Sequence, residues 1–281
     1  SHKFGITVHF VDLSNTDEVA AVLERDPNVR AVYVETPENP TLKLADIQAI
    51  SAHTEQHGIP LIVDNTFCSP YLQQPFRLGA DIVLHSMTKY INGHSTSVAG
   101  ILLGPWDFML TEAFIFYKDL GATPSPFDSW INGQNVQDLS VRVKQQCNTA
   151  HEIARFLDGH PQVSRTVYPF LDSHPQHDLA KKQMRMGGGM ISFELTGGFD
   201  AGIRLMDYFA RHDTPMELAV SLGSVISYIQ HPASMTHSGV PKEERQRMGI
   251  TDELVRMSVG LEGPSVLLEA LSEGLKLAHS G

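Results

Sequence analysis

Three short apolar runs, AVYVET (31–36), PLIVDNT (60–66) and DIVLHS (81–86), constrain this chain more than any other feature. Each is continuous rather than alternating and carries β-branched residues, the pattern of strands covered on both faces. A fourth run, AGILLG (99–104), reads the same way, and an earlier strand is expected over Thr7–Val11. Amphipathic helices fit between them: Asp17–Glu24 behind a Ser14 or Thr16 cap, and Leu44–His57 closed by Gly58. Alternation of this kind demands an α/β fold with a mostly parallel sheet and right-handed crossovers.

The second half changes character. After the Pro/Gly-rich break GATPSPF (121–127) the spacing predicts a long helix over Gln137–Leu157. A strand in GGGMISFEL (187–195), a helix over 200–211, a strand over 218–227, a strand in LVRMSVGLE (254–262) and a terminal helix over Ser265–His279 follow. The expected organisation is a large α/β domain over 1–140 and a smaller α+β domain over 141–281. No repeat or low-complexity segment interrupts it.

With 42% apolar and 19% charged residues the chain has the composition of a soluble globular protein. A net charge of −11 excludes the basic footprint of a nucleic-acid binder. No apolar run reaches the length of a membrane span, and no leader pattern opens the sequence. Cys68 and Cys147 are too few for a disulfide framework. A cytoplasmic protein with reduced thiols is expected.

Ligands of open α/β sheets bind beyond the carboxyl ends of the parallel strands. Past AVYVET stands Asn39 between two prolines, past PLIV stands Asp64, and past DIVLH stand Ser86, Thr88 and Lys89. Each alone has an ordinary structural use, as turn, cap or solvated charge. Together at one sheet edge they suit pyridoxal phosphate. That cofactor needs a lysine for a Schiff base, a carboxylate to keep its pyridine nitrogen protonated, and hydroxyls and N–H groups for its phosphate. The S-x-x-K match in SMTK lacks the S-D-N and K-T-G partners of serine β-lactamases. HTEQH (53–57) does not meet H-E-x-x-H, and no metal site is expected.

The blocks YVETPENPTLKLADI, VDNTFCSPYLQQPFRLGADIVLHSMTKYINGH, SPFDSW, SYIQHPASMTHS and LVRMSVGLE closely resemble the pyridoxal-phosphate enzymes of cysteine and methionine metabolism. The likeness runs along essentially the whole chain. It implies the fold type I architecture of pyridoxal-phosphate transferases and a small-molecule amino-acid substrate. It makes Lys89 the Schiff-base lysine, sets Asp64 on the pyridinium nitrogen and puts Ser86 and Thr88 at the phosphate. It places Asn39 beside the cofactor hydroxyl and substrate carboxylate, Arg256 on that carboxylate, and Ser221 and Thr236 around the substrate. It further implies a homotetramer built from dimers with shared active sites. The first third of the family's length is expected to be missing, and with it the glycine-containing phosphate loop and a ring-stacking tyrosine.

Within the family, Cys68 and the pair Lys118–Asp119 lean towards methionine γ-lyases, with Lys118 near the substrate. The expected reaction is γ-elimination from a sulfur amino acid. The alternatives are γ-replacement, as in O-acylhomoserine sulfhydrylases and cystathionine γ-synthases, cystathionine γ-lyase chemistry, or an inactive paralogue. Two departures stand out: Ser95–Thr96–Ser97 replaces the family's frequent acidic residue, and INGQNVQDL replaces a usual Arg-Gly-Leu. Gly133 and Asn135 are expected to weaken that helix.

Overall fold

The structure, a computed structural model, describes residues 4–211 and 213–280. Strands β1 (Val32–Glu35), β2 (Leu61–Asp64) and β3 (Ile82–Ser86) lie parallel in that order, as their apolar runs require. Helix Thr16–Arg25 is capped by Asn15, rather than Ser14 or Thr16, through a bond from Asp17 N. Helix Ile47–His57 starts three residues later than expected. Asp46 caps it through Ala49 N at 3.0 Å, a contact that stabilises by about 1 kcal/mol. Gly58, at φ 64°, ends it in the left-handed conformation. Val19, Leu23, Ile47 and Ile50 from the two helices bury against Val34, Leu61 and Val63 of the sheet.

Two expectations fail here. No strand forms over Thr7–Val11: among the described residues the run has no neighbouring strand to exchange hydrogen bonds with, and Phe10 stays 94% exposed. The fourth strand, β4 (Gly100–Leu103), is antiparallel to β3 and exposed along its whole length. Its apolar side chains Ile101, Leu102 and Leu103 continue into Trp106, Phe116 and Leu120, all exposed. The apolar pattern reported a surface that needs cover, not one already covered.

The second sheet has the order β5 (Val163–Val167), β6 (Met190–Leu195), β9 (Leu254–Ser258), β8 (Ser227–Gln230), β7 (Met216–Leu218), antiparallel except for β7 on β8. Helices Gly198–Arg211 and Pro264–Ala278 cover it. Helix Leu139–Asp158 joins the halves. Its start, through Leu139, Val143 and Cys147, packs with Leu42, Phe67, Cys68 and Tyr90. Its end, through Ile153 and Leu157, enters the core of the second sheet. No helix among the described residues is long and apolar enough to cross a membrane.

The strand expected over 218–227 is two strands and a loop. Residues 219–226 leave the sheet, and within them Gly223 takes φ +74° and passes so close to the turn after β3 that a Cβ there would come within 2.7 Å of Tyr90 N. The apolar run thus serves a loop in which Leu222 is buried while Val220 and Ile226 are exposed, and that loop builds the site.

Candidate active site

Lys89 follows β3 inside a π-helical turn, Met87–Ile91, with a non-helical backbone of its own (φ −94°, ψ −127°). From that non-helical backbone its side chain reaches the 219–226 loop. There Nζ donates to Ser221 Oγ at 3.0 Å. Burial, followed by the nearby positive charge of Arg256, holds the Lys89 pKa below the ordinary lysine range. Both causes disfavour the charged amine and favour the free nucleophile.

Arg256, in the middle of β9, is 4% exposed. Its Nη1 donates to Asn39 Oδ1 at 2.7 Å, and its Nη2 to the carbonyls of Val220 and Ser221 at 3.2 and 3.0 Å. With its amide oxygen turned inward, Gln230 of β8 accepts from Nε at 3.0 Å. Burial lowers the Arg256 pKa to about 10, against the opposing pull of Tyr90 and Glu35, so the guanidinium stays charged at neutral pH. Residues 220 and 221 therefore hold the amine and the guanidinium together, one through a hydroxyl and the other through two carbonyls.

The loop is fixed from several sides. Gly223 N donates to Ser258 Oγ at 2.9 Å, Val225 N to Gly93 O at 2.7 Å, and Gln146 Nε2 to Ser224 O at 2.7 Å. Such cross-links leave Ser221 little freedom to drift from Lys89.

At the end of β2, Asp64 accepts from Thr66 N at 3.0 Å and from Tyr33 Oη at 3.0 Å. Thr66 Oγ1 in turn accepts from Ser86 N at 2.8 Å, tying the ends of β2 and β3. The Ser86 hydroxyl makes no hydrogen bond among the described residues. Thr88 Oγ1 accepts from Ala99 N at 3.1 Å and donates to Ala99 O at 3.3 Å. His85 is buried with Nδ1 unpartnered, and burial holds its pKa below the usual histidine value, against the pull of Asp64.

Of the sequence-predicted residues, the structure joins Lys89, Ser221, Arg256 and Asn39 in one hydrogen-bonded chain, with Asp64, Ser86 and Thr88 on the adjoining strand ends. Thr236 is exposed in the loop after β8 and pairs with its neighbour His237 at 2.9 Å. Lys118 is exposed on helix Phe114–Leu120 and lies 3.7 Å from Asp119. Neither has a hydrogen bond to the chain of site residues among the described residues.

Sequence reasoning missed Gln230 and Glu35. Glu35 was legible in one respect: it ends an apolar strand in register with Asp64. Burial first, then the charges of Asp64 and Glu38, raise its pKa to about 7, with Arg256 opposing. The sign of the linkage is fixed by that direction. A carboxyl whose folded pKa lies above its unfolded value contributes stability below about pH 4.5 and loses it as pH rises through about 7. Glu35→Gln should therefore match wild type in urea unfolding near pH 4. By pH 8 it should exceed wild type by about 2 kcal/mol, a figure already discounted for partial exposure. A gap that does not grow between those pH values would show that Glu35 ionises freely.

A half-buried amine of lowered pKa, a carboxylate on the neighbouring strand end and an unengaged hydroxyl between them are the equipment of a pyridoxal-phosphate enzyme. The residues present fit that cofactor. A family model described as Cys/Met metabolism PLP-dependent enzyme matches residues 1–276. An L-methionine gamma-lyase of Fusobacterium nucleatum subsp. polymorphum is 47% identical over 277 residues, 98% of this chain and 68% of that protein. A cystathionine beta-lyase of Lactococcus lactis subsp. cremoris (strain MG1363) is 45% identical over 276 residues, 98% of this chain and 70% of that protein. The crystal structure of cystathionine gamma-lyase from Lactobacillus plantarum complexed with L-serine matches with a TM-score of 0.92 and 36% identity, covering 99% of this chain and 71% of that one. The chain belongs to the family of pyridoxal-phosphate-dependent enzymes of cysteine and methionine metabolism.

Proposed function

We propose that this chain is a carbon–sulfur lyase that eliminates the γ-substituent of a sulfur amino acid, converting L-methionine and water to methanethiol, 2-oxobutanoate and ammonia. The observation that carries the reading is the 220–221 loop, which ties an amine of lowered pKa to a buried guanidinium. An amine that moves protons and a fork that grips a carboxylate, at a fixed separation, suit an α-amino acid.

When bound, pyridoxal phosphate supplies an electron sink for the pair left at Cα by loss of its proton. Lys89 would hold the cofactor covalently, and Asp64 would keep its ring nitrogen positive. Ser86 would donate its free hydroxyl to the phosphate, and Thr88 would exchange its long bond to Ala99 O for the same purpose. Arg256, with Asn39, fixes the substrate carboxylate and so the direction of the Cα–H bond. Lys89 Nζ, freed by the incoming amino group, takes the proton from Cα, gives it up again within the site, and only then, once more a free amine, takes a proton from Cβ. The sulfur leaves Cγ as a thiolate and is protonated. Geometry of this kind converts a bimolecular proton transfer to an intramolecular one.

A second reading, β-elimination from cystathionine, has the support of the relative named cystathionine beta-lyase. The two separate in one experiment. Incubation in deuterated water with methionine and with cystathionine should place label at Cα and Cβ of recovered methionine and yield 2-oxobutanoate. Label at Cα alone, with pyruvate as product, would favour β-elimination. We propose a homotetramer as the active species, consistent with the uncovered apolar face of β4 and the helices after it. Light scattering on the same sample reports it, and a fully active monomer would oppose it.

A further inference from the structure

We propose that Arg142 is the positioning residue that sets the Lys89 turn, an inference that rests on Lys89 as the cofactor-bearing amine. The π-helical turn Met87–Ile91 ends without the regular bonding that would satisfy its last carbonyls. Gly93 N reaches Lys89 O at 2.7 Å and Asn92 N reaches Met87 O at 2.8 Å. The carbonyls of Tyr90 and Ile91 are served from elsewhere. Arg142 Nη1 donates to Tyr90 O at 2.8 Å, and Nη2 to Ile91 O at 3.3 Å. Nη2 also donates to Asn135 O at 2.7 Å, and Nε to Asp138 at 2.7 Å.

Four of the five N–H groups of one buried guanidinium are thus committed. Two of them hold the backbone immediately after Lys89, and two anchor the fork to the end of helix Pro126–Asn135 and to Asp138. A lysine in place of Arg142 could not span these acceptors, because an ammonium is a point donor and not a planar fork. Gly93 is matched to the arrangement. It takes φ +69°, and a Cβ there would collide with Arg142 Nη1. The sequence departures noted above meet in the same place: Asn132 Nδ2 donates to Ser97 Oγ at 2.7 Å, and Asn92 Nδ2 to Asn132 Oδ1 at 3.1 Å. Helix Pro126–Asn135 is thereby fixed against the 92–97 turn that the fork secures. Arg142 touches neither Lys89 Nζ nor any group we assign to substrate. It acts through the backbone, on the direction in which Nζ points.

The test compares Arg142→Lys, Arg142→Gln and Asp138→Asn with Ile153→Val, a core change three turns along the same helix that reports general destabilisation. Hydrogen exchange is measured on the cofactor-free proteins. Amides of residues 88–94 should exchange at least tenfold faster in both Arg142 variants than in Ile153→Val, and several-fold faster in Asp138→Asn. With pyridoxal phosphate bound, the pH midpoint of the protein-bound cofactor band should move by half a unit or more. In Arg142→Lys kcat should fall 10- to 100-fold with KM within about threefold. Exchange and band midpoint equal to those of Ile153→Val would overturn the proposal. If neither Arg142 variant accumulates as folded protein, Asp138→Asn decides it by the same exchange criterion. Failure of Lys89 to hold the cofactor would appear separately in Lys89→Ala, and the exchange result on cofactor-free protein would not change with it.

Discussion

Lys89→Ala is expected to leave a folded protein that no longer attaches pyridoxal phosphate covalently and turns over sulfur amino acids at least about 10³-fold more slowly. The fold should survive because Lys89 is only half-buried and its Nζ has one side-chain partner, Ser221. Its backbone angles, outside the helical and strand regions, burden alanine no more than lysine. The chemistry should not survive, because on the proposed assignment one substitution removes both the amine that would hold the cofactor and the base that would move protons at Cα and Cβ. Borohydride treatment followed by intact mass reads the attachment directly: wild type should gain the cofactor's mass and the variant should not. A variant that still gains that mass would transfer the role to another lysine and sink the site as assigned.

The legible part of this molecule is the part that obeys one-dimensional rules. Strands β1, β2 and β3 announced themselves as continuous apolar runs, although the expected cover on both faces is not complete: in β1 Val34 is buried while Tyr33 is 53% exposed. Asp64 and Lys89 could be proposed because each stands one to three residues beyond such a run, where an α/β sheet binds ligands. Arg256 came from the resemblance alone, since an arginine inside a strand reads as an anomaly until its partners are known. The misreadings have a common cause. The apolarity of β4 and of residues 219–226 was real, but sequence does not say what the apolar surface meets. β4 pairs with β3 but leaves its apolar side chains exposed, and 219–226 meets the backbone of Tyr90 through Gly223. Helix Pro126–Asn135 forms despite Gly133 and Asn135. Ser125 caps it through Asp128 N at 3.0 Å, and Asn132 ties it to Ser97. Contacts across 35 residues overrule a propensity that amounts to about 1 kcal/mol for a glycine. Arg142 stayed silent for the same reason: its partners lie about 50 residues upstream, and no spacing rule connects a helix arginine to a strand-end turn.

The second large effect is expected at Arg256. Arg256→Ala should raise KM for an amino-acid substrate roughly 10²–10³-fold, the loss that follows removal of one member of a buried charge pair. Its kcat should fall as well, by about tenfold. The guanidinium also holds the carbonyls of Val220 and Ser221, so without it the loop that seats Ser221 against Lys89 loosens. Arg256→Lys should recover little of either loss. A single ammonium cannot reach Asn39, Val220, Ser221 and Gln230 and still present a further N–H to a carboxylate. The two contributions separate with the amide of the same amino acid, which lacks the negative charge. Wild type and Arg256→Ala should differ on the amide only by the kcat component, because the charge–charge part of the interaction has been removed on the substrate side already. If the variant loses as much on the amide as on the free acid, Arg256 supports the loop and does not bind the carboxylate. If neither KM moves, another group holds the carboxylate and the orientation argument for Cα fails with it.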